Sequence, residues 1–267
     1  MARNSKRGRA AASVGCGERA EEGERLRIVT YNIHRAIGVD RRFRPERIVE
    51  ILRHHDPDIA LLQEVDEGAP RSKGLILGRE LAEALDYPHM AIGYNVSLRK
   101  GRYGNATLSR FPIIRERNID LTIDWRKKRG CQHTTLDLDG RGSMQVFNLH
   151  LGLSARERER QVGILVRSPE FNCVREAGPC VVGGDFNDWR SLLKPIFTQV
   201  FRFSSASELH GHGGGHIRTY PSFSPRGALD RVYFSRPLEL IGARRCRRKL
   251  SKVASDHLPL VVDLRLS

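Results

Sequence analysis

The chain has 267 residues, of which 39% are hydrophobic, enough to bury a substantial core as one large domain or two small ones. Lys and Arg number 46 against 31 Asp and Glu, and the first 25 residues hold six bases and four glutamates, so the folded body carries most of the net charge of +15. Such a field favours anionic partners, whether nucleic acid, phospholipid headgroups or a small phosphoester, without choosing among them; a merely solvated basic surface is the plainer alternative.

Five scattered cysteines with no CxxC exclude a disulfide framework or a zinc ribbon and point to a reducing, cytoplasmic interior. No window has the length of apolar sequence a membrane span needs, and the basic N-terminus lacks the apolar core of a secretory signal. Residues 1–25 read as a disordered basic arm rather than a transit peptide.

In chain order, Leu26 to Ile33 is β-branched and reads as a strand ending in the polar group Asn32, His34, Arg35. Pro45 opens an amphipathic helix to about Arg53, since its missing N–H is no loss in a first turn. Ile59 to Leu62 is a strand running into Gln63-Glu64-Val65, so Glu64 stands where a buried strand meets its loop, unless it is simply a surface residue. A helix over Leu75 to Leu85 follows. Strands His89 to Val96 and Gly104 to Ser109 flank Arg99, Lys100 and Arg102, either a solvated hairpin tip or a phosphate contact. Ile113 to Ile123, Gln132 to Leu138 and Met144 to Leu151 alternate as antiparallel strands, the last two joined at Asp139-Gly140. The loop Asp124 to Arg129 adds a second basic cluster.

His150 closes the last of these strands, and Ser154 with Glu157 forms a capping box for the next helix. Val181 to Trp189 (VVGGDFNDW) is an apolar run stopped by two glycines and followed by Asp185, Asn187 and Asp188. It is either an Asx-rich turn or a carboxylate and amide spaced to orient one water. A short helix is expected from Ser191 to about Phe197. His210 to His216 (HGHGGGH) is weak as a ligand set and reads as a mobile loop. In the strand Gly227 to Ser235, Asp230 lies among apolar residues and must find a partner or protonate. Ser255-Asp256-His257 precedes a final strand, Leu258 to Leu266, and Arg244 to Lys249 is a third basic cluster.

The polar residues thus collect at strand ends, where a rigid sheet presents catalytic groups. YNIH, QEV, NLHL, GGDFND, ALDRVY and SDHLPL, in this order over about Leu26 to Leu264, resemble the endonuclease/exonuclease/phosphatase superfamily with the deoxyribonuclease I-like fold. The pattern looks closer to poorly characterised bacterial members than to abasic-site endonucleases. The resemblance implies an α/β fold, a four-layer α/β/β/α sandwich of two mainly antiparallel sheets with outer helices, over residues 26–267. A doubly wound hydrolase is the rival, but the chain has no G-x-S-x-G elbow.

It also implies hydrolysis of a phosphoester with Mg²⁺ or Mn²⁺, Glu64 being the principal ligand with Asn32 and Asp256 nearby. Asp185 would take the proton of the attacking water and Asn187 hold it. His257 and Asp230 would form an imidazole-carboxylate pair, and His150 would face the phosphate or the leaving group. Asn105, His34, Arg35 and Arg102 would contact substrate. DNA is slightly favoured as the substrate because of the three basic clusters. A phospholipid headgroup on an anionic membrane surface, a small phosphoester, and an inactive phosphate-binding module are the alternatives, and the chain is expected to be a monomer.

Overall fold

A computed structural model of the chain describes residues 25–172, 174, 178–209 and 215–266. The N-terminal arm up to residue 24, and the HGHGGGH loop apart from Gly215 and His216, lie outside them. The strands are β1 (Arg25–Asn32), β2 (Ile59–Glu67), β3 (His89–Ser97), β4 (Arg102–Ser109), β5 (Ile113–Asp120), β6 (Gly130–Asp137), β7 (Ser143–His150), β8 (Cys180–Asp185), β9 (Ser204–Ser205), β10 (Glu208–Leu209), β11 (Gly215–His216), β12 (Asp230–Phe234), β13 (Leu238–Arg245) and β14 (Leu260–Leu266). The helices are α1 (Pro45–His55), α2 (Leu77–Ala84), α3 (Ala155–Arg167), α4 (Pro169–Asn172) and α5 (Ser251–Ala254). None of these helices is long and apolar enough to cross a membrane.

Alternation along the strands decides the layers. In β1, Leu26 and Ile28 face the second sheet while Val29 and Tyr31 face α1, α2 and α5. In β7, Met144 and Val146 face inward while Phe147 and Leu149 pack on α3 and α4. A period of two with both faces apolar requires cover on both sides, and the result is the four-layer sandwich that the resemblance implies. The first sheet runs β13-β14-β1-β2-β4-β3 and the second β5-β6-β7-β8-β12-β9.

Each six-stranded sheet is antiparallel except for one central parallel pair, β1 with β2 and β7 with β8. A parallel pair needs a crossover, and α1 and α3–α4 supply the two on opposite outer faces. The crossovers send the ends of β1, β2, β7 and β8 to one edge. The antiparallel partners β6, β12 and β14 begin at that same edge. Topology alone therefore gathers most of the predicted polar residues.

Four expectations are corrected. β2 does not stop at Leu62 but continues to Glu67 past a bulge, because the ladder to β4 resumes at Val65 opposite Gly104. β1 opens at Arg25, one residue before the expected domain boundary, paired with Arg265. The helix expected from Ser191 starts later, at Lys194, since Ser191 is left-handed (φ 57°) and begins a turn, and it runs on as a π-helical turn at Ile196–Val200. Arg244 and Arg245 of the third basic cluster belong to β13, an edge strand whose alternation is broken by a bulge between Leu240 and Gly242.

Candidate active site

Beneath the gathered strand ends, the two sheets are joined by polar groups rather than by hydrocarbon. Gln63 Nε2 donates to Asn148 Oδ1 (2.8 Å), and Asn148 Nδ2 donates to the carbonyls of Ala106 (2.9 Å) and Leu62 (3.2 Å). Asn105 Nδ2 donates to Gly130 O (3.1 Å) and Asn148 O (3.0 Å). Bonds of this kind are worth about 0.5–1.5 kcal/mol net each. Their advantage over apolar packing is direction: they fix one sheet against the other directly under the site.

The backbone around the site is strained in three places. After Asn32 the chain turns through His34, Arg35 and Ala36 at φ 46°, 61° and 56°, three successive left-handed residues with side chains. Glu64, on the β2 bulge, has φ 58°, and Asn187 has φ 50°. Each such residue costs about 1–3 kcal/mol and persists only where surrounding structure holds it. Here the strain aims side chains. Arg35 Nη1 reaches Glu64 Oε2 at 3.2 Å, and the Asn187 side chain donates to Leu151 O (2.9 Å) while its backbone N–H donates to Asp185 Oδ1 (3.0 Å).

Asp185 is the hub. β8 can press against β7 there because residue 184 is glycine: a Cβ at Gly184 would lie 2.0 Å from Leu149 O, and its φ is 140°. The register then sets Asp185 opposite His150 on β7 and opposite Asp230 on β12. Asp185 Oδ2 accepts from Asn32 Nδ2 (3.1 Å) and lies 3.5 Å from His150 Nε2 and 3.7 Å from His257 Nε2. His257 Nδ1 is 2.9 Å from Asp230 Oδ2, which also accepts from Thr219 Oγ1. Asp230 has found the partners its position demanded. Ser255 Oγ donates to Asn32 O (2.7 Å), seating the Ser255–His257 segment beside the end of β1.

Burial and charge separate the two imidazoles. His150 is held well below its ordinary value by burial first, then by Arg129 and Lys127, so it is neutral. Burial would also lower His257, but the carboxylates of Asp230 and Asp185 together outweigh it and hold it up at about 10. Burial raises Asp185 to about 6 against the pull of the His257 charge. The edge therefore presents a carboxylate poised near neutrality, one imidazolium and one neutral imidazole.

Asp185, Asp230 and His257 offer donor atoms within 4.8 Å of one another, a spacing that a metal would accept. A protonated imidazole has no lone pair to give, however, and both ring nitrogens already face carboxylates. The better donor set for a hard cation is Glu64, whose Oε2 is buried with no hydrogen bond, together with the half-buried Asp256 carboxylate. Asn32 Oδ1, at the end of β1, accepts from His34 N (3.1 Å).

The remaining expected contacts divide. Glu64, Asn105 and His150 line one small pocket with Tyr103, Lys128 and Arg129. Asn105 is there, but its amide hydrogens are committed to the inter-sheet bonds, which leaves only its oxygen for a ligand. His34 is turned back onto Ile37 O by Nδ1 (2.9 Å). Arg102 is not in the pocket lining: its guanidinium holds Glu67 (2.7 Å) and stacks on Tyr94 (4.0 Å), as a long exposed cation does beside an acid and an aromatic face. The sequence reading missed Arg129 as an individual, a buried cation whose Nε makes no hydrogen bond. It also missed Tyr220, whose ring lies 4.9 Å from that of His257. Arg129 sits inside the Asp124 to Arg129 loop already singled out, which was the only signal available for it.

A family model described as Endonuclease/Exonuclease/phosphatase family matches residues 29–257. An uncharacterized protein of Escherichia coli strain K12, YbhP, is 31% identical over 257 residues, covering 90% of this chain and 96% of its own length. Among solved structures, an endonuclease/exonuclease/phosphatase from Beutenbergia cavernae shares the fold at a TM-score of 0.72 and 21% identity, over 91% of this chain and 72% of that one. The human Nocturnin catalytic domain with bound sulfate anion does so at 0.71 and 22% identity, over 91% of this chain and 95% of that one. A match that runs from β1 to His257, through every strand bearing a site residue, places the chain in the endonuclease/exonuclease/phosphatase family.

Proposed function

We propose that the chain is a divalent-metal-dependent phosphoester hydrolase working by in-line attack of water on phosphorus. The observation that carries this is Asp185: a buried carboxylate raised to about 6, held between Asn32, His150 and His257 at the strand-end edge. That is the environment of a general base, which works best with a pKa near the working pH.

Asp185 would take the proton of a water that Asn187 helps to position. His257, kept charged by Asp230, would sit against the phosphoryl oxygens, where negative charge grows in the transition state. Arg129 and Arg35 add fixed positive charge near His150. His150, neutral and adjacent to Asp185, is suited to hydrogen-bond the phosphate or the departing oxygen. Glu64, Asp256 and Asn32 would hold Mg²⁺ or Mn²⁺, which when bound supplies charge relief to the phosphate and the leaving oxygen.

The basic body favours nucleic acid, but all three of its clusters are partly spent on ion pairs, the third through Arg126 and Glu157. Arg102 holds Glu67, Arg244 holds Asp263 and Arg248 holds Glu50. Arg126 to Arg129 is the cluster at the pocket, an arrangement that suits a compact phosphoester headgroup as well as a strand of DNA. The test is a panel of plasmid, abasic oligonucleotide, phosphoinositide and sphingomyelin, each with Mg²⁺ and with chelator. Turnover of at least one in Mg²⁺ and of none in chelator supports the reading. Undiminished turnover in EDTA sinks it.

A further inference from the structure

Both tryptophans of the chain, Trp125 and Trp189, stand exposed at the edge that bears the site, at 93% and 53%. They are not isolated there. Leu153 (73% exposed) follows His150 by three residues, Phe223 (67%) and Val39 are exposed on loops, and Val253 is exposed on α5, four residues before His257. Single exposed apolar residues are ordinary, but five on loops and one on α5 at the same edge are not scattered.

The contacts join them into a rim. Val39 N donates to Val253 O (3.0 Å), and Ser222 Oγ donates to Lys252 O (3.0 Å), which sets Phe223 beside α5. Trp189 packs edge-on against Tyr220 at 5.5 Å, and Tyr220 lies against His257. Across the site, Arg126 of the Trp125 loop reaches Glu157 in the first turn of α3 (3.6 Å), and Arg158 of that turn donates to Leu153 O (2.6 Å). Cations sit among these side chains: Arg126, Lys127 and Lys128 directly follow Trp125, and Lys252 precedes Val253.

We infer that this rim docks the chain on an anionic lipid bilayer, with the strand-end site facing the headgroups. Exposed Trp, Phe and Leu interleaved with Lys and Arg are what a headgroup layer binds, the apolar parts entering the acyl boundary and the cations meeting anionic phosphates. Single-stranded nucleic acid would use the aromatics and the cations equally well. It would gain nothing from Val39, Leu153 and Val253, which have no face on which a base can stack. The aliphatic members decide for lipid. The inference rests on the phosphoester reading only for what the site does once docked.

Because the two tryptophans are both on the rim, their emission reports docking directly. The full chain should blue-shift and cosediment with vesicles of phosphatidylcholine containing phosphatidylglycerol, and much less with phosphatidylcholine alone. The double variant Trp125→Ala with Leu153→Ala should weaken that binding by about tenfold or more, with circular dichroism, melting temperature and turnover of a soluble phosphodiester unchanged. Removing solvent-exposed groups should not impair folding, and Phe223→Ser repeats the test on the other side of His257. Binding to vesicles without hydrolysis of any phosphoester would leave the docking standing and overturn the proposed function alone. No shift with anionic vesicles, equal binding by the variants, tighter loss on single-stranded oligonucleotide than on vesicles, or vesicle-independent self-association through the rim would each overturn the inference.

Discussion

Replacing Asp230 by asparagine isolates the charge that keeps His257 protonated. Burial would lower this imidazole, and Asp230, 2.9 Å from Nδ1, is the strongest of the carboxylates that instead hold it at about 10 rather than 6.5. At about 1.4 kcal/mol per pKa unit, that is about 5 kcal/mol in favour of the imidazolium. Asparagine keeps the shape and an oxygen for Thr219 but loses the charge, so burial regains ground and the ring gives up its proton at much lower pH. In the proposed mechanism the active form has Asp185 ionised and His257 charged. In wild type, kcat/KM on a soluble phosphodiester should therefore rise through about 6 and fall through about 10. Asp230 also raises Asp185, so in Asp230→Asn both limbs move to acid, the alkaline one by at least about one unit. The loss is then larger at high pH than at neutrality. An alkaline limb that stays in place, in a variant whose melting temperature shows it folded, would refute the reasoning.

Glu64→Gln should keep the fold and lose most activity, because an amide oxygen is a poorer ligand for a hard dication; calorimetric titration with Mg²⁺ should show weakened binding, and unchanged affinity would remove Glu64 from the metal site. Gly184→Ala should lower stability by about 3 kcal/mol or more, since its Cβ would collide with the Leu149 carbonyl 2.0 Å away in a backbone conformation that side chains avoid. Denaturant unfolding measures it, and a neutral result would mean that β7 and β8 are not pressed together at that point.

Much of the scaffold was legible in the residues because its cause is local. β-branched runs stopped by Asn or Gly mark β1 and β8, and Asn32, His150, Asp185, Asp230 and His257 could be read as groups at or beside strand ends before any contact was known, whereas Glu64, read the same way, lies on a bulge inside β2. What could not be read depends on partners distant in the chain. The left-handed bulge at Glu64 exists because β2 and β4 change register there. The inter-sheet bonds of Gln63, Asn105 and Asn148 join residues up to 86 positions apart. Arg102 looked like a phosphate contact because its neighbours in sequence are basic, while its real neighbours are Glu67 and Tyr94. β13 was hidden by its arginines, one of which, Arg244, is neutralised by Asp263 of the neighbouring β14.

The central claim is that Asp185 and His257 act on one phosphate in one step, the carboxylate on the water and the imidazolium on the phosphoryl charge. The most direct measurement is kcat for Asp185→Asn, His257→Ala and the double variant on whichever phosphoester the wild type turns over. Each single change should cost about 10²–10⁴-fold, and the double variant should lose much less than the product, because groups serving one transition state are not additive. Losses that multiply cleanly, or an Asp185→Asn variant that retains the wild-type rate, would contradict the account.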